Sequence, residues 1–234
     1  MSKRARRNGP LRVLLVDDHP LVRQALRETL LREHDLAVCC EAGDRQRALE
    51  ATAACRPDLA IVDLALKNSD GLELIKDIRL RCPGTRILVL SMYDGPHFAE
   101  RAIRAGANGY VSKEEAPARI MQAVRKVLSG EIYWTEKVAA QVASKVASPG
   151  LGIGSLPCDL LSERELQVFE SIGTGASTPQ IAAALHIGVS TVESHRTHIR
   201  KKLHYGSGVE LLQAAIRWNL TARILGQARG ARRG

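Results

Sequence analysis

No stretch of the 234-residue chain approaches the ~20 consecutive apolar residues that a membrane span requires. Met1 to Pro10 is basic and polar, with no apolar run of signal-peptide length behind it, so the expected location is the cytoplasm. Cysteine is sparse: residues 39, 40, 55, 82 and 158 make an odd set without a C-x-x-C pair, which argues against a disulfide framework and against a zinc site. They read as reduced, mostly buried thiols. Cys39 and Cys40 are neighbours in an expected strand, where alternation turns side chains to opposite faces and keeps two thiols out of one site. Acidic residues are missing from the first twelve positions, which carry five Lys/Arg.

What is present is unevenly distributed. The net charge of +9 divides into +5 over residues 1–12, zero over 13–150 and +4 over 151–234. A neutral body with basic ends is expected where one end meets a polyanion. The length and a hydrophobic content of 45% suit two separate cores.

From Leu11 to about Gly130, short apolar runs alternate with amphipathic stretches, the pattern of an α/β domain with a parallel sheet. Strands are expected at 11–16, 36–41, 58–62, 86–91 and 109–112, rich in Val, Ile and Leu as strands covered on both faces tend to be. Helices are expected near 20–33, 44–54, 70–81, 96–105 and 115–129. Residues 131–160 read as a linker: 138–147 has spacing for a short helix, and Pro149, Gly150, Gly152, Gly154 and Pro157 follow closely. These glycines are not a dinucleotide fingerprint, because no strand precedes them and no helix follows at once.

After Leu161 the spacing is helical throughout. Ser162 and Glu165 form a capping box that starts a helix at Glu163, and Gly173-Thr174-Gly175 closes it. Ser177 or Thr178 caps a second helix that tolerates Pro179 in its first turn. His186-Ile187-Gly188 makes a short turn, Ser190 is expected to cap a longer basic helix, and a fourth helix follows Gly206 and Gly208. Two helices joined by a short glycine turn, the second of them basic, are the ingredients of a helix-turn-helix, here placed at 161–222 with a basic tail at 223–234.

In a parallel α/β sheet, residues just past the carboxyl ends of the strands converge on one crevice. Here they are Asp17, Asp18, Asp63, Ser91 and Lys113. Three converging carboxylates repel one another and need a cation. An all-oxygen set suits Mg2+, which bridges carboxylates to phosphoryl oxygens. A carboxylate beside Mg2+ and a lysine can attack phosphorus to give an acyl phosphate, and Ser91 can hydrogen-bond the product.

LLVDDHPLVRQAL, IVDLAL, DGLELI, ILVLSMYD and AGANGYVSKE resemble the receiver domain of bacterial response regulators. LSERELQVFESIGTGASTPQIAAALHIGVSTVESHRTHIRKKL resembles the helix-turn-helix of their NarL/FixJ (LuxR-type) branch, so the likeness covers about residues 11–220. It implies a CheY-like (flavodoxin-like), doubly wound, five-stranded receiver over 11–130 followed by a four-helix DNA-binding domain. It further implies that Asp63 is the phosphoacceptor, that Asp17, Asp18, Asp63 and the Ala65 carbonyl hold Mg2+, that Lys113 pairs with the phosphoryl group, and that Ser91 and Tyr110 form a switch pair. The implied partners are a sensor histidine kinase, promoter DNA with two half-sites, and a second copy of the chain when phosphorylated or DNA-bound. The departure from the family lies at Leu66, Lys67, Asn68 and Ser69. The usual proline is absent and Lys67 adds a positive charge, which bears on phosphoryl lifetime and Mg2+ affinity.

Within the basic helix, Val192, His195, Ile199 and Leu203 recur at helical spacing and should face the core. Glu193, Ser194 and Thr197 are the candidates for the major groove, with Arg196, Arg200, Lys201 and Lys202 on phosphates or nearby bases, and Ser190 and Thr191 complete the expected DNA-binding set. Glu193 is the odd member, since a carboxylate at DNA costs affinity unless it accepts from a cytosine amino group. His195 and His198 lack a supporting acid or Cys and do not suggest a metal site. In the last helix Leu211, Leu212, Ala215, Ile216 and Leu220 form a stripe, which serves dimerisation in the family and otherwise closes the domain core. Two rival readings remain at this point. One is a receiver acting as an interaction module independent of phosphate. The other is a phosphohydrolase with Asp63 as nucleophile, which would commonly carry an acid where Ala65 stands.

Overall fold

A computed structural model of the chain describes residues 9–66, 70–92, 96–134 and 160–230, and the expected helix at 138–147 lies outside them. The chain forms two compact units, divided between 151 and 152. Among the described residues, no helix is long and apolar enough to cross a membrane.

The first unit alternates strand and helix: β1 (Leu11–Val16), α1 (Pro20–Leu31), β2 (Leu36–Ala42), α2 (Arg45–Cys55), β3 (Leu59–Asp63), α3 (Gly71–Arg81), β4 (Arg86–Ser91), α4 (Pro96–Ala105), β5 (Gly109–Ser112) and α5 (Ala116–Ser129). All strand pairs are parallel, in the order β2-β1-β3-β4-β5. Val13, Leu15, Leu59, Ile61, Leu88, Leu90 and Val111 pack with Leu26 and Leu30 of α1 and Ile120, Val124 and Val127 of α5. The alternate residues Leu14, Ala60, Val62, Ile87 and Val89 are just as buried, so both faces are covered and the strands read as continuous apolar runs. Asp44 caps α2 by accepting from the Arg47 N–H, and Asp70 caps α3 by accepting from the Leu72 N–H.

Two expectations about cysteine are overturned. Val13 pairs with Val38 but Leu14 pairs with Cys40, so Cys39 is an extra residue in a bulge, and simple alternation does not hold across Cys39-Cys40. Cys40 is joined to Cys55 at the end of α2 by a disulfide, with Cα atoms 6.9 Å apart, instead of both being reduced thiols. Cys39 and Cys82 are free, and Cys158 lies outside the described residues.

The second unit is helical: α6 (Glu163–Gly173), α7 (Thr178–Ala184), α8 (Val189–Lys202) and α9 (Gly208–Gly230), the last running through most of the stretch read as a tail. The Ser162–Glu165 capping box is present as expected. Ser190 is not a cap. Gly188 occupies that position and Ser190 sits in the first turn of α8, because the left-handed His186 (φ 52°) turns the chain early enough for the helix to begin at Val189. A Cβ on Gly173 would lie 2.4 Å from the Ala215 carbonyl oxygen, so this glycine sets how closely α6 and α9 approach. Gly173→Ala is expected to cost the unit about 1–3 kcal/mol, seen as a lower denaturant midpoint with an unchanged m-value.

Candidate functional site

The sheet brings the candidate pocket residues together. Val16 pairs with Val62, so Asp17 follows β1 directly beside Asp63, which ends β3. Asp63 pairs with Leu90, and Ser91 with Ser112, so Ser91 and Lys113 complete the same rim. This is the point where the strand order reverses and helices leave in opposite directions, where open α/β sheets hold ligands.

Asp63 is 1% exposed and Asp17 2%. The Lys113 ammonium bridges them, 2.8 Å from Asp63 Oδ2 and 2.6 Å from Asp17 Oδ2. The Ala65 N–H donates to Asp63 Oδ1 at 3.1 Å, fixing the carboxylate plane. Burial, helped by the Asp17 charge, pushes the Asp63 pKa up against the pull of Lys113. Burial works the other way on Lys113, but the two carboxylates outweigh it and raise its pKa, keeping it charged.

His19, not singled out from the sequence, belongs to this pocket. Its N–H donates to Asp17 Oδ1 at 2.8 Å, and its Nδ1 lies 2.9 Å from Asp18 Oδ1. Its place directly after Asp17-Asp18 was the available signal. Oxygens of Asp17, Asp18 and Asp63 and a nitrogen of His19 lie within 4.8 Å of one another. Asp17 Oδ2 is buried against the Lys113 ammonium at 2.6 Å, and Asp18 Oδ1 is buried with His19 Nδ1 at 2.9 Å. Three carboxylates this close, with one ammonium between two of them, fit a hard divalent cation.

Gly71 opens α3 directly after its cap, Asp70. A Cβ there would lie 2.5 Å from both the Asp63 carbonyl oxygen and Leu64 Cα, so only glycine lets α3 start against the strand end that carries Asp63. Ser91 and Tyr110 are buried, Tyr110 at 2% exposure. Leu66 is buried as well, while Lys67, Asn68 and Ser69 lie outside the described residues.

In the second unit α7, the turn at Leu185–Gly188 and α8 form the helix-turn-helix. Val192 and Ile199 are fully buried, and the opposite side of α8 exposes Thr191, Glu193, Ser194, His198, Lys201 and Lys202. Ser194 Oγ donates to the Ser190 carbonyl and Thr197 Oγ1 to the Glu193 carbonyl, both at 3.0 Å. A shallow groove is lined by Glu193, Arg196, Thr197 and Arg200 together with Gly208 and Leu211 of α9.

Residues 13–125 match the model of the response regulator receiver domain, and residues 159–215 that of bacterial regulatory proteins of the luxR family. The transcriptional activator protein ExaE of Pseudomonas putida is 36% identical over 204 residues, 87% of this chain and 95% of its own. The chain belongs to the NarL/FixJ-type response regulators. Among solved structures, a LuxR-family two-component response regulator from Aurantimonas sp. matches at 35% identity and TM-score 0.55, covering 60% of this chain and all of that one. RcsB of Salmonella enterica serovar Typhimurium, in a structure bound to promoter P1flhDC with the phosphomimetic BeF3-, matches at 25% identity and TM-score 0.54, covering 88% and 98%. The regulator thus combines a receiver with a LuxR-type DNA-binding domain and serves transcription control.

Several candidate residues of the regulator have partners within their own unit. Lys202 Nζ is 2.6 Å from the capping-box carboxylate of Glu165 and is held against α6. Glu193 accepts from Thr178 Oγ1 at 2.8 Å and has Arg196 Nε 3.8 Å away, so its carboxylate faces α7. His195 stands half-buried at the core edge, as expected, where burial lowers its pKa against the pull of Glu165. Leu211 and Ala215 are buried in the unit's own core, because α9 packs that side against α6, which leaves Leu212 (38% exposed) and Ile216 (39%) on the surface with Leu220.

Proposed function

We propose that Asp63 accepts a phosphoryl group from a sensor histidine kinase or a small phosphodonor, and that this modification raises the affinity of the DNA-binding unit for a promoter element with two half-sites. The observation that carries the reading is the Lys113 ammonium bridging the buried Asp17 and Asp63 at the carboxyl ends of β1 and β3. An Asp63 oxygen attacks phosphorus while the P–N bond to the donor histidine, or the P–O bond of a small acyl phosphate, breaks. Lys113 then pairs with the phosphoryl oxygens, and its displacement from Asp63 is the first consequence of the reaction. Asp17, Asp18, Asp63 and the Ala65 carbonyl would hold Mg2+, which supplies positive charge against the transferring group. Ser91 donates to the phosphoryl group, and Tyr110 occupies the space behind it. Ala65 leaves the position two residues after Asp63 without an acid for a leaving group, which favours a stable phosphoacceptor in a cytoplasmic regulator over a hydrolase.

With Mg2+ and acetyl phosphate, the purified protein is expected to gain one phosphoryl mass increment that Asp63→Ala abolishes. DNA affinity is expected to rise with a beryllofluoride mimic. Unchanged affinity would leave the receiver as a phosphate-independent interaction module.

On DNA, Thr191, Ser194 and Thr197 meet base edges and Arg196, Arg200 and Lys201 meet phosphates, while Glu193 orients Arg196. Leu212 and Ile216 meet a second copy. Arg200→Ala is therefore expected to weaken binding across all sequences and to reduce the salt slope by about 1. Lys202→Ala is expected to leave that slope unchanged and instead to cost about 1–2 kcal/mol of stability, because the buried Glu165 loses its ammonium partner and keeps the Ser162 N–H. Salt-dependent binding isotherms and denaturant melts on the two variants separate these outcomes.

A further inference from the structure

We propose that Cys40 and Cys55 form a reversible redox site, closed to a disulfide by a hydroperoxide and reopened by a dithiol. Three features built into the fold support it. The bulge at Cys39 breaks the strand alternation that would otherwise separate neighbouring thiols, and the sulfurs of Cys39, Cys40 and Cys55 lie within 4.8 Å of one another. Cys55 closes α2, so its thiol faces the strand on which Cys40 stands, and the two sulfurs are joined. The members also differ in access: Cys40 is half-buried, whereas Cys55 is buried with its sulfur 3.8 Å from the Cys39 carbonyl oxygen.

That difference assigns the roles. The Cys40 thiolate attacks the peroxide O–O bond, releasing an alcohol (water, from hydrogen peroxide) and leaving a sulfenic acid at Cys40. The Cys55 thiolate then attacks Cys40 sulfur, forming the S–S bond and expelling hydroxide, which leaves as water. Two thiols and one hydroperoxide thus give one disulfide, one alcohol and one water. A dithiol reverses the link by exchange, being oxidised to its own disulfide. Cys39 is the bystander, since burial pushes its thiol pKa up and keeps it protonated against the pull of Arg12. In a reducing compartment such a link is made and broken in use, unlike the permanent bridges of secreted proteins.

The test uses the full-length protein, reduced, freed of reductant and treated with equimolar tert-butyl hydroperoxide, then alkylated and digested without reduction for mass spectrometry. Most chains are expected to yield a peptide linking Cys40 to Cys55 that dithiothreitol removes, Cys39→Ser and Cys82→Ser are expected to retain it, and Cys40→Ser to lose it. The proposal is overturned if both thiols remain open to alkylation, or if Cys55 links to Cys39 instead. It is equally overturned if the reduced protein retains an equivalent of zinc on these sulfurs and resists the peroxide.

Discussion

Asp63→Asn is expected to abolish phosphoryl incorporation and, in the same protein, to raise the melting temperature. Asparagine keeps the shape of the side chain and an acceptor for the Ala65 N–H, but it offers no nucleophilic oxygen. The stability gain follows from the raised pKa of the buried Asp63, which burial and Asp17 impose against Lys113. A carboxyl whose pKa is higher folded than unfolded contributes stability that is complete below its unfolded pKa and is lost as pH rises through the folded one. Near neutral pH, where the unfolded carboxyl is ionised, the buried Asp63 is therefore a cost of the fold, and a neutral side chain lifts that cost, at roughly 2–4 °C per kcal/mol recovered in a chain of this size. Lys113 keeps Asp17 as its partner. Calorimetry with a metal chelator should show the variant melting higher at neutral pH, with a smaller gain below the ordinary carboxylate range. A variant that melts lower at neutral pH would show that Asp63 is held by its ion pair more strongly than burial opposes it.

Apolar runs covered on both faces announce themselves locally, and β1, β4 and β5 stand at the expected residues. The pocket was readable because a parallel sheet sends its strand ends to one place, so that Asp17, Asp63, Ser91 and Lys113 needed only correct strand ends to be brought together. What was not legible depends on register and on tertiary packing. Nothing in LAVCCE marks a bulge at Cys39, which arises from pairing with β1 and brings a disulfide where reduced thiols were expected. Serine is a favoured helix cap, but the left-handed His186 decides where α8 begins, and Gly188 takes the position. The stripe on α9 has the right period, yet periodicity does not divide it. Only its packing against α6 buries Leu211 and Ala215 and leaves Leu212 and Ile216 outside. Lys202 is indistinguishable from Lys201 in sequence, and Glu165, 37 residues away, makes their surroundings differ.

Gly71→Ala is expected to slow phosphoryl incorporation at least tenfold and to destabilise the first unit by about 1–3 kcal/mol, although Gly71 carries no functional group. The added methyl meets backbone, the Asp63 carbonyl oxygen and Leu64 Cα, both at 2.5 Å, and backbone cannot rotate away as the end of a flexible side chain can. Relief requires α3 to retreat, which loosens the bond from the Gly71 N–H to the Leu64 carbonyl, or requires the end of β3 to shift. A shift of β3 moves Asp63 away from Lys113, a contact of 2.8 Å that tolerates little displacement, while Lys113 stays held to Asp17 at 2.6 Å. Misplacing a nucleophile by about 1 Å costs on the order of 100-fold in rate, so tenfold is a conservative expectation. The discriminating measurement is incorporation from acetyl phosphate at saturating Mg2+ and at a temperature where circular dichroism shows the variant fully folded. A normal rate in that folded protein would mean that α3 alone absorbs the methyl and that the end of β3 keeps its position without help from the glycine.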